Sequence, residues 1–204
     1  MKPTISVIVP IRNENEPWQE LVSQLSDVYE VIVVSGSDIA GGRAACMNEG
    51  ARRARGDYLW FLHADCQVNS SHIECLARSL HKYPDALHYF RLVFHDGPWM
   101  LVFNQWGAYV RSHWFNIPFG DQGFCLSRAQ FNKLKGYRLG LSYGEDHVFV
   151  WQARKAKVKL MPMRKGLGTS GRTYEERGWL KNSLIYQWLW LRQCFWCVRK
   201  ILLV

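Results

Sequence analysis

Short β-branched and aromatic runs alternate with stretches of helical period through most of the chain. Ile5-Ser6-Val7-Ile8-Val9-Pro10 is nearly uninterrupted in apolar residues and is closed by a proline. It predicts a central parallel strand buried on both faces. Val31-Ile32-Val33-Val34 predicts a second strand of the same kind, and the run Tyr58 to Cys66 a third, with a polar tip at His63 and Asp65 and with Gly56-Asp57 in front of it. Between these runs a helix is predicted from about Pro17 to Leu25, with Trp18, Leu21, Val22 and Leu25 on one face, and another from Ala44 to Arg55. Strand, helix, strand, helix, strand with short links is the signature of a right-handed α/β unit, so the predicted fold class is α/β with a mostly parallel sheet flanked by helices.

Further along, the period predicts a helix over Ser71 to Tyr83, with Ile73, Leu76, Ala77 and Leu80 inward, and a strand over Leu87 to Phe94. Pro98 to Trp114 is aromatic-rich and reads as helical or irregular. The polar loop Phe119-Gly120-Asp121-Gln122-Gly123 precedes an apolar Phe124-Cys125-Leu126 and a short helix from Arg128 to Leu134. Gly144-Glu145-Asp146-His147 opens another helix. A strand Val158 to Met161 then leads into a basic, glycine-containing loop, Arg164 to Arg177. The last stretch, Trp179 to Val204, is apolar almost all round. Residues 1–178 are therefore expected to form one domain, and residues 179–204 an aromatic-rich amphipathic or packing helix.

Charge narrows the partners. The 26 Lys and Arg against 17 Asp and Glu give a net charge of +9, which suits an anionic partner such as a nucleotide diphosphate or a membrane surface. Zinc-finger spacing, an aromatic ribonucleoprotein motif and a basic tail are all missing, so nucleic-acid binding is not expected. Six cysteines without framework spacing fit a reduced, cytoplasmic compartment. Cys194 and Cys197 form a Cys-x-x-Cys pair inside an apolar helical pattern and read as packing residues. The apolar run after Lys2 is too short for a signal peptide. Ser183 to Leu191 is too short to span a bilayer, but its Trp and Tyr content with flanking cations suits an interfacial helix as well as a packing one.

Several residue sets carry candidate chemistry. In open parallel sheets ligands bind beyond the carboxyl ends of the strands, where His63 and Asp65 emerge. A carboxylate there can hold a hard divalent cation that neutralises a diphosphate, or can simply cap the next turn. Glu145 and Asp146 are good first-turn residues, and the helix dipole is expected to lower their pKa values. Gly120-Asp121 and Gln122-Gly123 are ordinary turn pairs. Arg172 and Arg177 read as solvated charges pairing with Glu175 and Glu176 on the surface.

Taken in order, these stretches resemble the family 2 glycosyltransferases of the GT-A fold, which use a nucleotide-diphospho-sugar donor. More narrowly, they look like a bacterial branch of small proteins described as arsenosugar-biosynthesis glycosyltransferase-like. The matching segments are Ser6 to Pro10 with Asn13-Glu14, Gly42-Arg43-Ala44 with Met47 to Ala51, Gly56-Asp57 with Phe61 to Asp65, Pro118 to Gly123, Glu145-Asp146, and Thr169 to Arg172 with Arg177-Gly178. The resemblance implies that Asp65, with His63 at the position usually held by a second Asp, binds Mn²⁺ or Mg²⁺ and the donor diphosphate. It implies Asp146, with Glu145, as the base of an inverting transfer. Pro10, Asn13, Glu14, Ser35, Asp38, Arg43, Asn48, Arg172 and Arg177 would then contact the donor, and Gly120, Asp121 and Gln122 would shape the sugar and acceptor pocket.

Two departures stand against that pattern. Ser35 occupies the position where relatives end their second strand in an Asp, and only Asp38 to Gly41 separates that strand from the Gly-Arg-Ala segment, where relatives carry a further helix and strand. Three readings follow. The first is a glycosyltransferase acting on a lipid-linked or small-molecule acceptor. The second is a degenerate GT-A-fold scaffold without transferase activity. The third, compatible with the first, is a peripheral protein at the inner face of the membrane; a homodimer could also bury the last helix.

Overall fold

The computed structural model describes residues 2–141, 143–197 and 199. Six strands, β1 (Ile5–Ile11), β2 (Glu30–Ser35), β3 (Tyr58–Phe61), β4 (Leu87–Phe94), β5 (Cys125–Ser127) and β6 (Leu160–Thr169), form one sheet in the order β2-β1-β3-β5-β4-β6. Three of the ladders are parallel, β1 with β2, β1 with β3 and β4 with β6. The short β5 runs antiparallel to both of its neighbours. The sheet is mostly parallel, as expected.

Among the described residues eight α-helices surround it: α1 (Trp18–Ser23), α2 (Gly42–Arg53), α3 (Ser70–Lys82), α4 (Leu101–His113), α5 (Arg128–Lys133), α6 (Glu145–Lys155), α7 (Arg172–Arg177) and α8 (Trp179–Cys197). β1 shows why the central runs are continuous in apolar residues. Its Val7 and Val9 face one layer with Leu21, Ile73 and Leu76, while Ile8 faces the other with Met47 and Ala51. Trp60 and Leu62 likewise join the first layer, and Leu59 and Phe61 the second. Each such side chain, fully removed from water, contributes roughly 1.5–3 kcal/mol. Gly50 lets α2 lie directly on the sheet, because a Cβ there would collide with the Ile8 side chain.

The expectation for the basic segment is corrected. Residues 164–169 belong to β6 rather than to a loop, with Gly166 to Thr169 pairing with Arg91 to Phe94 after a register shift between Tyr89 and Arg91. Met163, Leu167 and Thr169 point inward while Pro162 and Arg164 face solvent. An edge strand tolerates both the proline and the charges, which also protect its free edge from pairing. Pro98 to Trp114 resolves into α4. Trp179–Cys197 forms α8; residues 198 and 200–204 of the expected last helix lie outside the described residues. Among the described residues no helix is long and apolar enough to cross a membrane. All six cysteines are free. No strand lies between β2 and α2, so β2 is the edge of the sheet.

Candidate functional site

Beyond the carboxyl ends of β1 and β3 the chain gathers its charged residues. At the end of β3, Asp65 is fixed by the turn that follows β6. Its Oδ2 accepts hydrogen bonds from Thr169 Oγ1 and the Ser170 backbone N–H, both at 3.2 Å. That turn is held from its other side by Asp96, which accepts from the Ser170 hydroxyl at 2.9 Å and from the Gly171 backbone. Asp96 had no signal in the sequence beyond being a polar residue at a strand end.

Arg43, at the start of α2, is the hub. Its Nε donates to Glu145 Oε1 and its Nη2 to Asp146 Oδ2, at 2.5 and 2.9 Å. Its Nη1 lies 3.2 Å from His63 Nε2. A guanidinium can only donate, so His63 Nε2 accepts and the ring is neutral there. Burial, with the Arg43 charge beside it, pushes the His63 pKa down to about 4. Arg43 had been expected on the donor, but here its guanidinium is engaged with three protein side chains.

Glu145 and Asp146 open α6 and are both buried, but their environments separate them. Burial opposes the ionised form of Glu145, yet the charge and hydrogen bond of Arg43 outweigh it and hold its carboxyl below the ordinary value. At Asp146 burial wins over Arg43, and with Glu145 and Asp121 nearby the carboxyl is pushed up to about 6. The expected lowering by the helix dipole is therefore overturned for Asp146, since desolvation is the larger effect. Its Oδ1 is buried with no hydrogen-bond partner. Gly120 lies directly against the Asp146 carboxylate, leaving no room for a Cβ.

Asp121 faces the same space. Burial raises its carboxyl pKa, opposed by the charges of Arg111 and Arg43 and reinforced by Asp65. Its Oδ1 is also buried without a partner. Arg111 reaches in from α4, stacked 3.4 Å above the Phe119 ring and donating through Nε to the Ile117 carbonyl. Tyr174, on α7, closes this side; burial raises its phenol pKa, with Asp121 adding to the shift. Arg111 and Tyr174 were not singled out from sequence. The one available signal was that Arg111 is a lone cation in an aromatic run without carboxylates.

Other expected site residues have structural tasks. Asn48 Nδ2 donates to the Tyr137 carbonyl and its Oδ1 accepts from the Tyr137 N–H, at 2.8 and 2.9 Å, pinning the chain after α5 to α2. Gln122 is buried, donating to the Phe90 carbonyl and accepting from Phe119 N–H. Each amide thus commits one donor and one acceptor to the backbone. Arg172 is exposed and pairs with Glu176 at 3.7 Å, and Arg177 is exposed on α7. The loop after β1 turns through Asn13, whose Oδ1 accepts from the Asn15 N–H; Glu14 is exposed on the same turn. Ser35, at the end of β2 beside Pro10 and Ile11, hydrogen-bonds Ser37, and Ser37 reaches Asp38. These two loops adjoin, the Gly36 N–H donating to the Ile11 carbonyl at 2.8 Å.

A divalent ion fits part of this arrangement. Among the described residues no three His, Cys, Asp or Glu side chains gather as a metal cage. His63 Nε2 is taken by Arg43, so the expected second ligand does not fit through that atom. Asp65 does fit the Mg²⁺ pattern of one carboxylate with substrate phosphates and water.

The sheet, its crossovers and the charged residues beyond its strand ends define an α/β domain with a candidate ligand site. The family model described as glycosyl transferase family 2 matches residues 37–139, half of the chain, and the chain belongs to that family. The match ends before Glu145 and Asp146. Among solved structures the chain is similar to that of S. aureus TarS, at TM-score 0.60 and 14% identity, covering 82% of this chain and 36% of that one. A shorter form, TarS 1-349, matches equally, with 60% of it covered. TarS 1-349 in complex with UDP-GlcNAc matches at TM-score 0.55 over 58% of its length. The chain thus spans less than two thirds of each, and the likeness establishes a shared GT-A-like fold. No curated protein matches the chain.

Proposed function

We propose that the protein transfers a hexosyl or related group from a nucleotide-diphospho-sugar to an acceptor hydroxyl, with Asp146 as the base. The observation that carries this is the Asp146 carboxyl itself. It is buried, tuned to about 6, anchored through Oδ2 by Arg43, and carries an unpartnered Oδ1. A base works best with a pKa near the operating pH and a free lone pair aimed at the proton it takes.

In the proposed reaction Asp146 Oδ1 accepts the acceptor's hydroxyl proton as its oxygen bonds to the anomeric carbon. The bond from that carbon to the diphosphate breaks, and the nucleoside diphosphate leaves with the electron pair. One attack from the side opposite the leaving group inverts the anomeric centre. Asp65 would hold a divalent ion against the diphosphate, and that ion would supply charge neutralisation for the leaving group. Arg43 orients the base and keeps Glu145 ionised. Asp121, whose Oδ1 is buried without a partner, would bind a sugar or acceptor hydroxyl. Pro10, Asn13, Glu14, Ser35 and Asp38, at the ends of β1 and β2 and in the loops after them, would hold the nucleoside. The TarS structure solved with UDP-GlcNAc supports a nucleotide-sugar as donor.

The test is nucleoside diphosphate release from a panel of nucleotide-sugars. Loss in Asp146→Asn with donor affinity retained supports the assignment. Full turnover in Asp146→Asn, with loss in Asp121→Asn, would move the base to Asp121.

A further inference from the structure

We propose that α4 and α8 together form a surface that docks the protein on an anionic lipid bilayer. Both helices expose an apolar stripe where a solvent face would normally be polar. On α4, Val102, Phe103, Trp106 and Tyr109 are exposed at helical spacing, with Trp106 at 68%. On α8, Leu180, Leu184, Trp188, Leu191 and Phe195 repeat along one side, with Trp188 at 58% and Phe195 at 76%. Their opposite sides are already occupied. Tyr89 donates its hydroxyl to the Ser112 carbonyl of α4, and Gln193 of α8 donates to the Tyr143 and Gly144 carbonyls.

The two stripes adjoin. Trp179 Nε1 donates to Asn104 Oδ1 at 2.6 Å, Asn104 donates to the Ser183 hydroxyl at 3.1 Å, and the Phe103 and Trp179 rings lie 6.2 Å apart. A continuous apolar surface of this kind on a single chain marks an interaction site.

Charge selects the occupant. Residues 97–120 and 179–197 contain no Asp or Glu, whereas Lys181 and Arg192 are exposed, and the Arg192 guanidinium lies 4.7 Å from the Trp188 ring centre. A second copy placed on this face would set the same cations against each other without a carboxylate to pair them. Anionic headgroups pair them, while the Trp and Leu side chains enter the acyl boundary. No described helix is long and apolar enough to cross, so the pair lies on the surface. Their inner sides carry Arg111 beside Asp121 and Tyr186 against Tyr174, which places the bilayer next to Asp121 and the carboxylates around it.

The experiment is flotation of the full chain with vesicles of phosphatidylglycerol and phosphatidylcholine, and with phosphatidylcholine alone. The wild type is expected to float with the anionic vesicles and at least about tenfold less with the neutral ones. Trp106→Ser/Trp188→Ser should lower partitioning by about a hundredfold. Lys181→Glu/Arg192→Glu, which leaves the apolar stripes intact, should abolish the preference for anionic lipid. Wild type that stays unbound, or variants that float equally, would overturn the proposal. So would a wild-type dimer that the Trp double variant converts to a monomer, without vesicle binding, since the face would then belong to a second copy.

Discussion

Asp146→Asn should separate stability from activity. In the folded protein the Asp146 carboxyl sits at about 6, against an ordinary value of 3.8. A carboxyl raised on folding binds its proton more tightly in the folded state, so stability is greatest below the unfolded value. Stability then falls as pH rises towards the folded value. The difference corresponds to about 3 kcal/mol once the group is ionised, or roughly 6–12 °C in Tm for a chain of this size. Asparagine is nearly isosteric, keeps the contact with Gly120 and carries no charge. Loss of one Arg43 partner offsets part of the gain, but Glu145 remains paired. The variant is therefore expected to be at least as stable as wild type at pH 8 and less advantaged at pH 4, with turnover down about 10²–10⁴-fold. Thermal unfolding of both proteins from pH 4 to 8, paired with product release, is the assay. A Tm difference that stays flat across that range, or turnover within twofold of wild type, would refute the reasoning.

Wild-type kcat/KM should show an acid limb near pH 6, and Arg43→Ala should move it upward because the cation opposing protonation is gone. A limb that stays in place or moves down would show that Arg43 does not set the base. Gly120→Ala forces a Cβ into the Asp146 carboxylate and is expected to lower stability by about 1–3 kcal/mol and turnover with it, read by thermal unfolding and product release. Asn48→Ala should lower Tm by several degrees, at about 2–4 °C per kcal/mol, while leaving nucleotide affinity unchanged; weakened affinity in the folded variant would return Asn48 to the donor site. His63→Gln is expected to keep metal-dependent nucleotide binding within about threefold, since Nε2 faces Arg43 rather than an ion, with calorimetry as the check.

Much of the fold was legible because burial on both faces leaves a local mark. β1, β2 and β3 are continuous apolar runs, and α3 repeats its core residues at helical spacing. β6 was shortened because Arg164 and Lys165 read as a loop, when their place at a sheet edge makes charge acceptable. For the site, sequence order placed Asp65, Asp121, Glu145 and Asp146 among the candidates, and the structure brings these four together. What they do to one another was not legible. The rise of Asp146 and the fall of Glu145 depend on Arg43, more than a hundred residues away, and on how deeply each carboxyl is buried. Asn48 and Gln122 carried a family position but satisfy backbone groups, a task visible only once Tyr137 and Phe90 are in place. Arg111 was hidden among aromatics whose outward faces, not its own inward one, dominate the pattern.

The most direct measurement is calorimetric binding of UDP, GDP and dTDP, each with Mn²⁺ or Mg²⁺, to the wild type and to Asp65→Ala. One nucleotide should bind in a metal-dependent manner to the wild type and lose that binding in the variant. Folded wild-type protein that binds none of the three under any metal condition would contradict a donor site at Asp65, and would favour a scaffold that keeps the fold without the chemistry.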